Sequence, residues 1–255
     1  MVVSVLKVTQ RHSTGKARLL RLLEEIDDLG WCRLTLYLGP GSLEAERISS
    51  LAPGKELADN RLTVVLGEMG ESDTGLVLFV GDERIVAVSP PFPIQEDASA
   101  GGADLSPLRD LLGRDYVVGV VLLRLRRYAI GVLRGEKLVA TKTRSRYVKN
   151  RHRAGGTSQR RFERSRERTV RELYDKTCEV LGEVFEPYED DLDYVLMGGE
   201  RQTLLGLQGR CRALQDMVDR TLARRLHVEQ PNQMALENIA FEVWKSRVVA
   251  FEEGN

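Results

Sequence analysis

Between residues 116 and 143 three apolar runs follow one another with almost nothing between them: YVVGVVLLRL (116–125), RYAIGVLRG (127–135) and KLVATKT (137–143). Each has the length and β-branched content of a strand, and the connections are far too short for the crossover that parallel neighbours need. The simplest arrangement is an antiparallel meander. Downstream the pattern alternates. A long helix begins near Thr157 and runs to about Val184, with inward positions at Phe162, Val170, Leu173, Thr177, Val180 and Leu181. DYVLMGGE (193–200) reads as a short buried strand, a helix follows from about 201 to 218, and the segment through Arg225 and Leu226 has room for another strand. A last helix is predicted from about Asn232 to Phe251. Strands first as a meander, then strand and helix in turn, make an α/β fold on a mixed sheet.

The preceding half reads as a smaller α/β domain. Apolar residues at 19, 20, 22, 23, 26 and 29 have helical spacing, and Gly30 follows as a stop. RLTLYL (33–38), RLTVVLG (61–67), GLVLFVG (75–81) and RIVAVS (84–89) read as strands, the last two joined by a hairpin turn at Gly81-Asp82. SPPFPIQEDASAGGADLSP (89–107) is rich in Pro, Gly, Ser and Asp and reads as a linker. The expected division is an N-terminal α+β domain at 1–90, a linker at 91–115 and a second domain at 116–255.

Lys+Arg and Asp+Glu balance at 38 each, so net charge identifies no partner and only the distribution is informative. That distribution is lopsided. From Arg144 to Arg168 there are ten cations, Arg144, Arg146, Lys149, Arg151, Arg153, Arg160, Arg161, Arg164, Arg166 and Arg168, against two acids, Glu163 and Glu167. A solvated helix face normally alternates sign to gain i,i+4 pairs. Cations crowded like this need an external anion, and the preference for Arg over Lys suits phosphate. Cys32, Cys178 and Cys211 form no C-x-x-C pair and stand beside only three histidines, so neither a metal site nor a disulfide framework is expected. No run approaches the ~18 apolar residues of a membrane span, and the first residues lack a signal-peptide cleavage site. A soluble cytoplasmic protein is expected.

Within the basic segment lies Ala154-Gly155-Gly156-Thr157-Ser158-Gln159. Two adjacent glycines permit tight bends and let the backbone approach a ligand closely. Thr157 or Ser158 can cap the helix that follows, and free N–H groups at a helix start favour an anion or a developing oxyanion. Rival chemistries have less support. His152 and Ser158 lack a third group to orient the histidine. Asp190, Asp191 and Asp193 invite comparison with nuclease metal ligands, but clustered acids before a strand are more often a solvated turn. Gly198-Gly199 reads as a strand-to-helix turn, and no GxxxxGK[ST] phosphate loop exists.

Residues 128–167 resemble the central domain of eukaryotic and archaeal class-1 release factors, with a strand meander, a basic approach, a glycine-pair loop and an Arg-Phe pair in a basic helix, here Arg161-Phe162 followed by Arg164 and Arg166. The chain is more similar to the Vms-like release-factor family, whose loop reads Gly-x-x-Gln, as Gly156-Thr157-Ser158-Gln159 does. DYVLMGGE and PNQMALENIAFEVWKSRV also look like motifs of that family, so the resemblance spans roughly 116–255. Relative to the class-1 factors, Thr157 occupies the glutamine's place and Gln159 comes two residues later.

The resemblance implies a ribonuclease-H-like domain that hydrolyses peptidyl-tRNA at the peptidyl-transferase region of the large ribosomal subunit, without cofactor. It implies that Gln159, with Gly155, Gly156, Thr157 and Ser158, forms the catalytic loop. Arg144, Arg146, Lys149, Arg151, His152, Arg153, Arg160, Arg161, Arg164 and Arg168 would hold tRNA or ribosomal RNA. A factor that keeps this domain for binding alone is the alternative. No stop-codon-reading motif is recognisable in 1–115, so codon-directed termination is not expected.

Overall fold

The computed structural model describes residues 5–43, 48, 50–51, 59–125, 127–145 and 158–254, with the backbone alone at 5, 59, 145 and 158–166. The fold is mixed α/β with two sheets, and the chain divides into two compact units: Met1–Arg114 with Trp244–Asn255, and Asp115–Val243.

The first unit is built on a six-stranded, wholly antiparallel sheet in the order β1-β11-β4-β3-β2-β5. Its strands are β1 (Val5–Thr14), β2 (Leu34–Leu38), β3 (Leu76–Val80), β4 (Arg84–Ser89), β5 (Ala98–Gly101) and β11 (Ser246–Gly254). The predicted helix is Lys16–Leu29. It buries Leu19, Leu23 and Ile26 and ends at Gly30 in the left-handed conformation, φ 59°. The Gly81-Asp82 hairpin is present, closed by Gly81 N–H donating to the Arg84 carbonyl at 2.8 Å. One face of the sheet packs Leu36, Leu38, Leu78, Val80, Ile85 and Phe251 against Leu62, Val65 and Met69.

Three expectations for this unit fail, each for a physical reason. Residues 61–67 are part of a helix, Asp59–Met69, and not a strand. Leu62, Val65 and Met69 are buried at spacings of three and four, while the β-branched Thr63 and Val64 face outward. The 91–115 linker is ordered structure: β5 pairs with β2, and Ser106–Gly113 is a helix burying Leu108 and Leu112. Strand β5 is made of small residues on an exposed edge, so it has no apolar signature. The helix expected from 232 to 251 stops early. It becomes two short helices, Gln233–Glu237 and Ile239–Val243, and then β11 inserts between β1 and β4. Val248, Val249, Ala250 and Phe251 are all buried because the strand is central in its sheet, which masks the period-two alternation that would have identified it. Residues 246–254 therefore belong with the first unit's sheet, and the two units are nearly equal in length.

The second unit contains the meander. Strands β6 (Val117–Arg124), β7 (Arg127–Arg134) and β8 (Lys137–Ser145) are successive antiparallel neighbours. Strands β9 (Tyr194–Gly199) and β10 (Thr221–Leu226) add in parallel beside β6, giving the order β10-β9-β6-β7-β8. The long helix is Ser158–Phe185, as expected. The helix predicted from 201 to 218 is interrupted: Arg201–Gln208 ends at Gly209, and Arg212–Asp216 starts anew after Cys211. A disulfide, which the cysteine spacing did not suggest, joins Cys178 of the long helix to Cys211 across 33 residues.

Candidate functional site

The basic segment leaves the sheet from β8, which lies at its edge and ends at Ser145, and returns in the helix Ser158–Phe185. Both anchors are well founded. The helix buries Tyr174, Val180, Leu181, Val184 and Phe185 in one core with Val117, Val121, Ile130 and Val132 of the meander. Full burial of a side chain of this size contributes roughly 1.5–3 kcal/mol. Two glycines allow the close approach. A Cβ on Gly119 would stand 2.5 Å from the Phe185 ring, and one on Gly206 would stand 2.5 Å from the Tyr174 hydroxyl. The disulfide to Cys211 and the Arg210–Asp175 ion pair (3.1 Å) fix the same stretch of helix.

Charge on this helix runs against its dipole. A helix N-terminus carries a partial positive charge and favours acids, and its C-terminus favours bases. Here the first turn contains no acid and includes Arg160 and Arg161, while the last turn contains no base. Further along, Arg168–Glu172 (2.9 Å), Arg171–Glu167 (3.6 Å) and Lys176–Glu179 (2.6 Å) pair along the surface. The start of the helix is therefore a concentration of positive potential that nothing in its own first turn compensates. Lys142 on β8 is bound to Glu183 instead, which holds the Glu183 carboxyl below its usual range and raises the Lys142 ammonium.

Of the residues expected to form the site, Arg144 is exposed on β8 opposite Tyr128, and Arg168 is exposed and paired with Glu172. Ser158 and Gln159 open the helix, and Arg160, Arg161 and Arg164 lie in its first two turns by backbone position. Arg146, Lys149, Arg151, His152, Arg153, Gly155, Gly156 and Thr157 lie outside the described residues. Two further cations escaped the sequence reading. Arg124 and Arg127 flank the β6–β7 turn at the end of the sheet where β8 terminates, since Arg127 is in register with Ser145. They donate to the Val228 carbonyl (3.3 Å) and to Gln230 (2.9 Å), and neither has a carboxylate partner among the described residues. The signal was the Arg-Leu-Arg-Arg run at 124–127, which lies outside the basic segment in sequence and beside its point of departure in space.

Two of the three aspartates have structural partners: Asp193 accepts the Val117 N–H at 2.7 Å, and Asp191 pairs with Arg134 at 2.8 Å. Gly199 adopts φ 142° with its backbone tight against the Leu123 carbonyl, as a strand-to-helix turn requires. Among the described residues no helix is long and apolar enough to cross a membrane.

Comparison with known proteins gives the class first. Similar chains include peptide chain release factor subunit 1 of Methanopyrus kandleri, 28% identical over 225 residues, covering 77% of this chain and 55% of that protein. The protein of the same name from Methanosphaera stadtmanae is 35% identical over 143 residues, covering 51% of this chain and 35% of that one. Among solved structures, the archaeal translation termination factor aRF1 aligns at 20% identity over 90% of this chain and 72% of that one, with a TM-score of 0.38. The chain spans about half or less of the length of these curated relatives. It is release-factor-like. More narrowly, it belongs to the Actinobacteria/chloroflexi VLRF1 release factor family, whose sequence profile matches residues 116–249.

Proposed function

We propose that this chain hydrolyses the ester of peptidyl-tRNA on stalled ribosomes in the cytoplasm, releasing the nascent peptide. The observation that carries the proposal is that Gly155-Gly156-Thr157 stands in the sequence between an edge strand and a helix that Ser158 and Gln159 open, a helix whose cation-rich start runs against its dipole. Such a segment suits close approach to a polyanion followed by chemistry at its tip. The order β10-β9-β6-β7-β8, an antiparallel meander extended by two parallel strands beside its first member, supports a ribonuclease-H-like reading of the second unit.

Ester hydrolysis needs a placed water, a stabilised oxyanion and a proton for the leaving ribose oxygen. The Gln159 amide donates and accepts hydrogen bonds, so it orients water without titrating. The first N–H groups of a helix have no intrahelical acceptor, and the helix opening at Ser158 offers them to the oxyanion. Arg144, Arg160, Arg161 and Arg164, joined by Arg124 and Arg127, hold phosphates and so position the acceptor end. No cofactor enters the scheme.

A second reading, a factor that binds the ribosome and tRNA without hydrolysis, is favoured by one observation: Gln159 has helical backbone, one residue inside the helix. Peptide release from stalled ribosome–nascent-chain complexes separates the two. On the hydrolase reading Gln159→Ala slows release by about 10²–10³-fold with ribosome binding retained, and Gly156→Ala slows it by crowding the approach. Release that survives Gln159→Ala but is lost in Thr157→Ala would move the catalytic role to Thr157. Inactivity of the wild type on every peptidyl-tRNA substrate would leave the binding reading.

A further inference from the structure

A cleft of about 430 Å³ opens in the first unit, far along the sequence from the basic segment. One wall is β1, which contributes Gln10, His12 and Thr14, alternate residues on one side of the strand. The other is the helix Lys16–Leu29, which contributes Arg18, Arg21, Leu22 and Glu25, a stripe at spacings of three and four. Among the described residues strand β1 is the edge of its sheet and pairs only with β11, so half of its peptide groups face away from that partner.

The two arginines of the cleft differ from most of their neighbours. Arg11 and Arg247 pair with Glu68, Arg33 with Asp82, Arg61 with Glu253 and Arg84 with Glu252. Arg18 and Arg21, both exposed, make no ion pair among the described residues, although Glu25 stands one turn beyond Arg21. The helix also begins without a side-chain cap at Gly15, which leaves its first N–H groups available beside Thr14. Two fork-shaped donors, an imidazole, a hydroxyl, a carboxamide and a short apolar surface at Leu22 make a chemically specific set. They match a phosphodiester with its sugar better than a bare anion, because a bare anion has no use for Leu22.

We infer that this cleft is a second RNA-backbone subsite, which grips one or two phosphodiesters of a single strand independently of the basic segment at 144–168. The inference rests on the proposed ribosomal role for its biological setting, but its chemistry can be tested without peptide release. The probe is a labelled single-stranded RNA of mixed sequence, titrated by fluorescence anisotropy at several salt concentrations. The protein carries Arg160→Ala, Arg161→Ala and Arg164→Ala so that the arm contributes less. On that background, Arg18→Ala with Arg21→Ala should reduce the slope of log affinity against log salt by about 1.4, two single-strand contacts at roughly 0.7 each. Arg18→Lys with Arg21→Lys should keep most of the slope. Glu25→Gln should tighten binding about two-fold by removing a like charge from the phosphate's surroundings, a gain that unfolding cannot mimic. An unchanged slope in the alanine pair, or weaker binding in Glu25→Gln, would overturn the inference. Displacement of the RNA by an equal concentration of nucleoside monophosphate would overturn the assignment to a polymer. Release activity enters none of these readouts, so loss of the hydrolase reading and loss of this one are separate results.

Discussion

Tyr174 to Phe185 and Ser158 to Arg168 are parts of the same helix with nearly inverted compositions. The first stretch presents Tyr174, Thr177, Val180, Leu181, Val184 and Phe185 to the core and carries Asp175, Glu179 and Glu183 outside. The second stretch carries Arg160, Arg161, Arg164, Arg166 and Arg168 with a single large apolar residue, Phe162. Burial rises along the helix, from exposed at Glu167 and Arg168 to fully buried at Leu181. One helical rod thus divides its work by length. Its seated end contributes to folding, and its other end concentrates five arginines against two glutamates, Glu163 and Glu167. Variants in the two stretches should therefore separate stability from RNA affinity.

The largest expected effect is at the seated end. Phe185→Ala removes a ring that fills the space left by Gly119 and should lower unfolding free energy by about 3–5 kcal/mol, read as a shift in the denaturant midpoint. RNA affinity of the fraction still folded should keep its salt dependence. A loss of that dependence in folded protein would mean that seating and charge presentation are not separable. Next comes the mirror case. Arg160→Ala, Arg161→Ala and Arg164→Ala together should reduce the slope of log affinity against log salt by about 2–3 and leave the denaturant midpoint nearly unchanged. An unchanged slope would show that this stretch does not touch phosphate.

The smallest effect concerns the Lys142–Glu183 pair, exposed on both sides. Because Lys142 holds the Glu183 carboxyl below its usual range, the pair's contribution is present above the ordinary carboxylate range and is lost as pH falls through the lowered value. Glu183→Gln should lower the melting temperature only slightly and should flatten only the acid limb of its pH profile. A shift that persists unchanged into acid would mean the carboxylate is not the source.

What could be read in advance followed from periodicity. The meander at 116–143 and the long helix are repetitive over many residues and were legible. Asp59–Met69 misled because its run of Thr63, Val64 and Val65 is strand-like in content, and only the wider spacing of Leu62, Val65 and Met69 reveals a helix. Strand β5 was hidden because Ala98, Ser99, Ala100 and Gly101 bond through their backbones and bury little. Strand β11 was hidden because burial on both faces erases alternation. For the site, the glycine pair and the arginines were visible as a run of letters. Arg124, Arg127 and the Cys178–Cys211 bond were not, because each depends on neighbours that only the folded chain brings together.

The position of β11 has a consequence for how the protein is made. Residues 115–243 form their unit from contiguous sequence, whereas the first unit's sheet needs Ser246–Gly254 between β1 and β4. During synthesis β1 and β4 emerge early and then wait for a partner encoded more than a hundred residues later. At roughly 5–20 residues per second that wait is on the order of 10–30 seconds, ample time for the second unit to complete its own hydrogen bonds. The half of the protein that is translated first is thus the half that finishes folding last, and for that interval it holds two unpaired strand edges open to solvent, to each other and to neighbouring nascent chains.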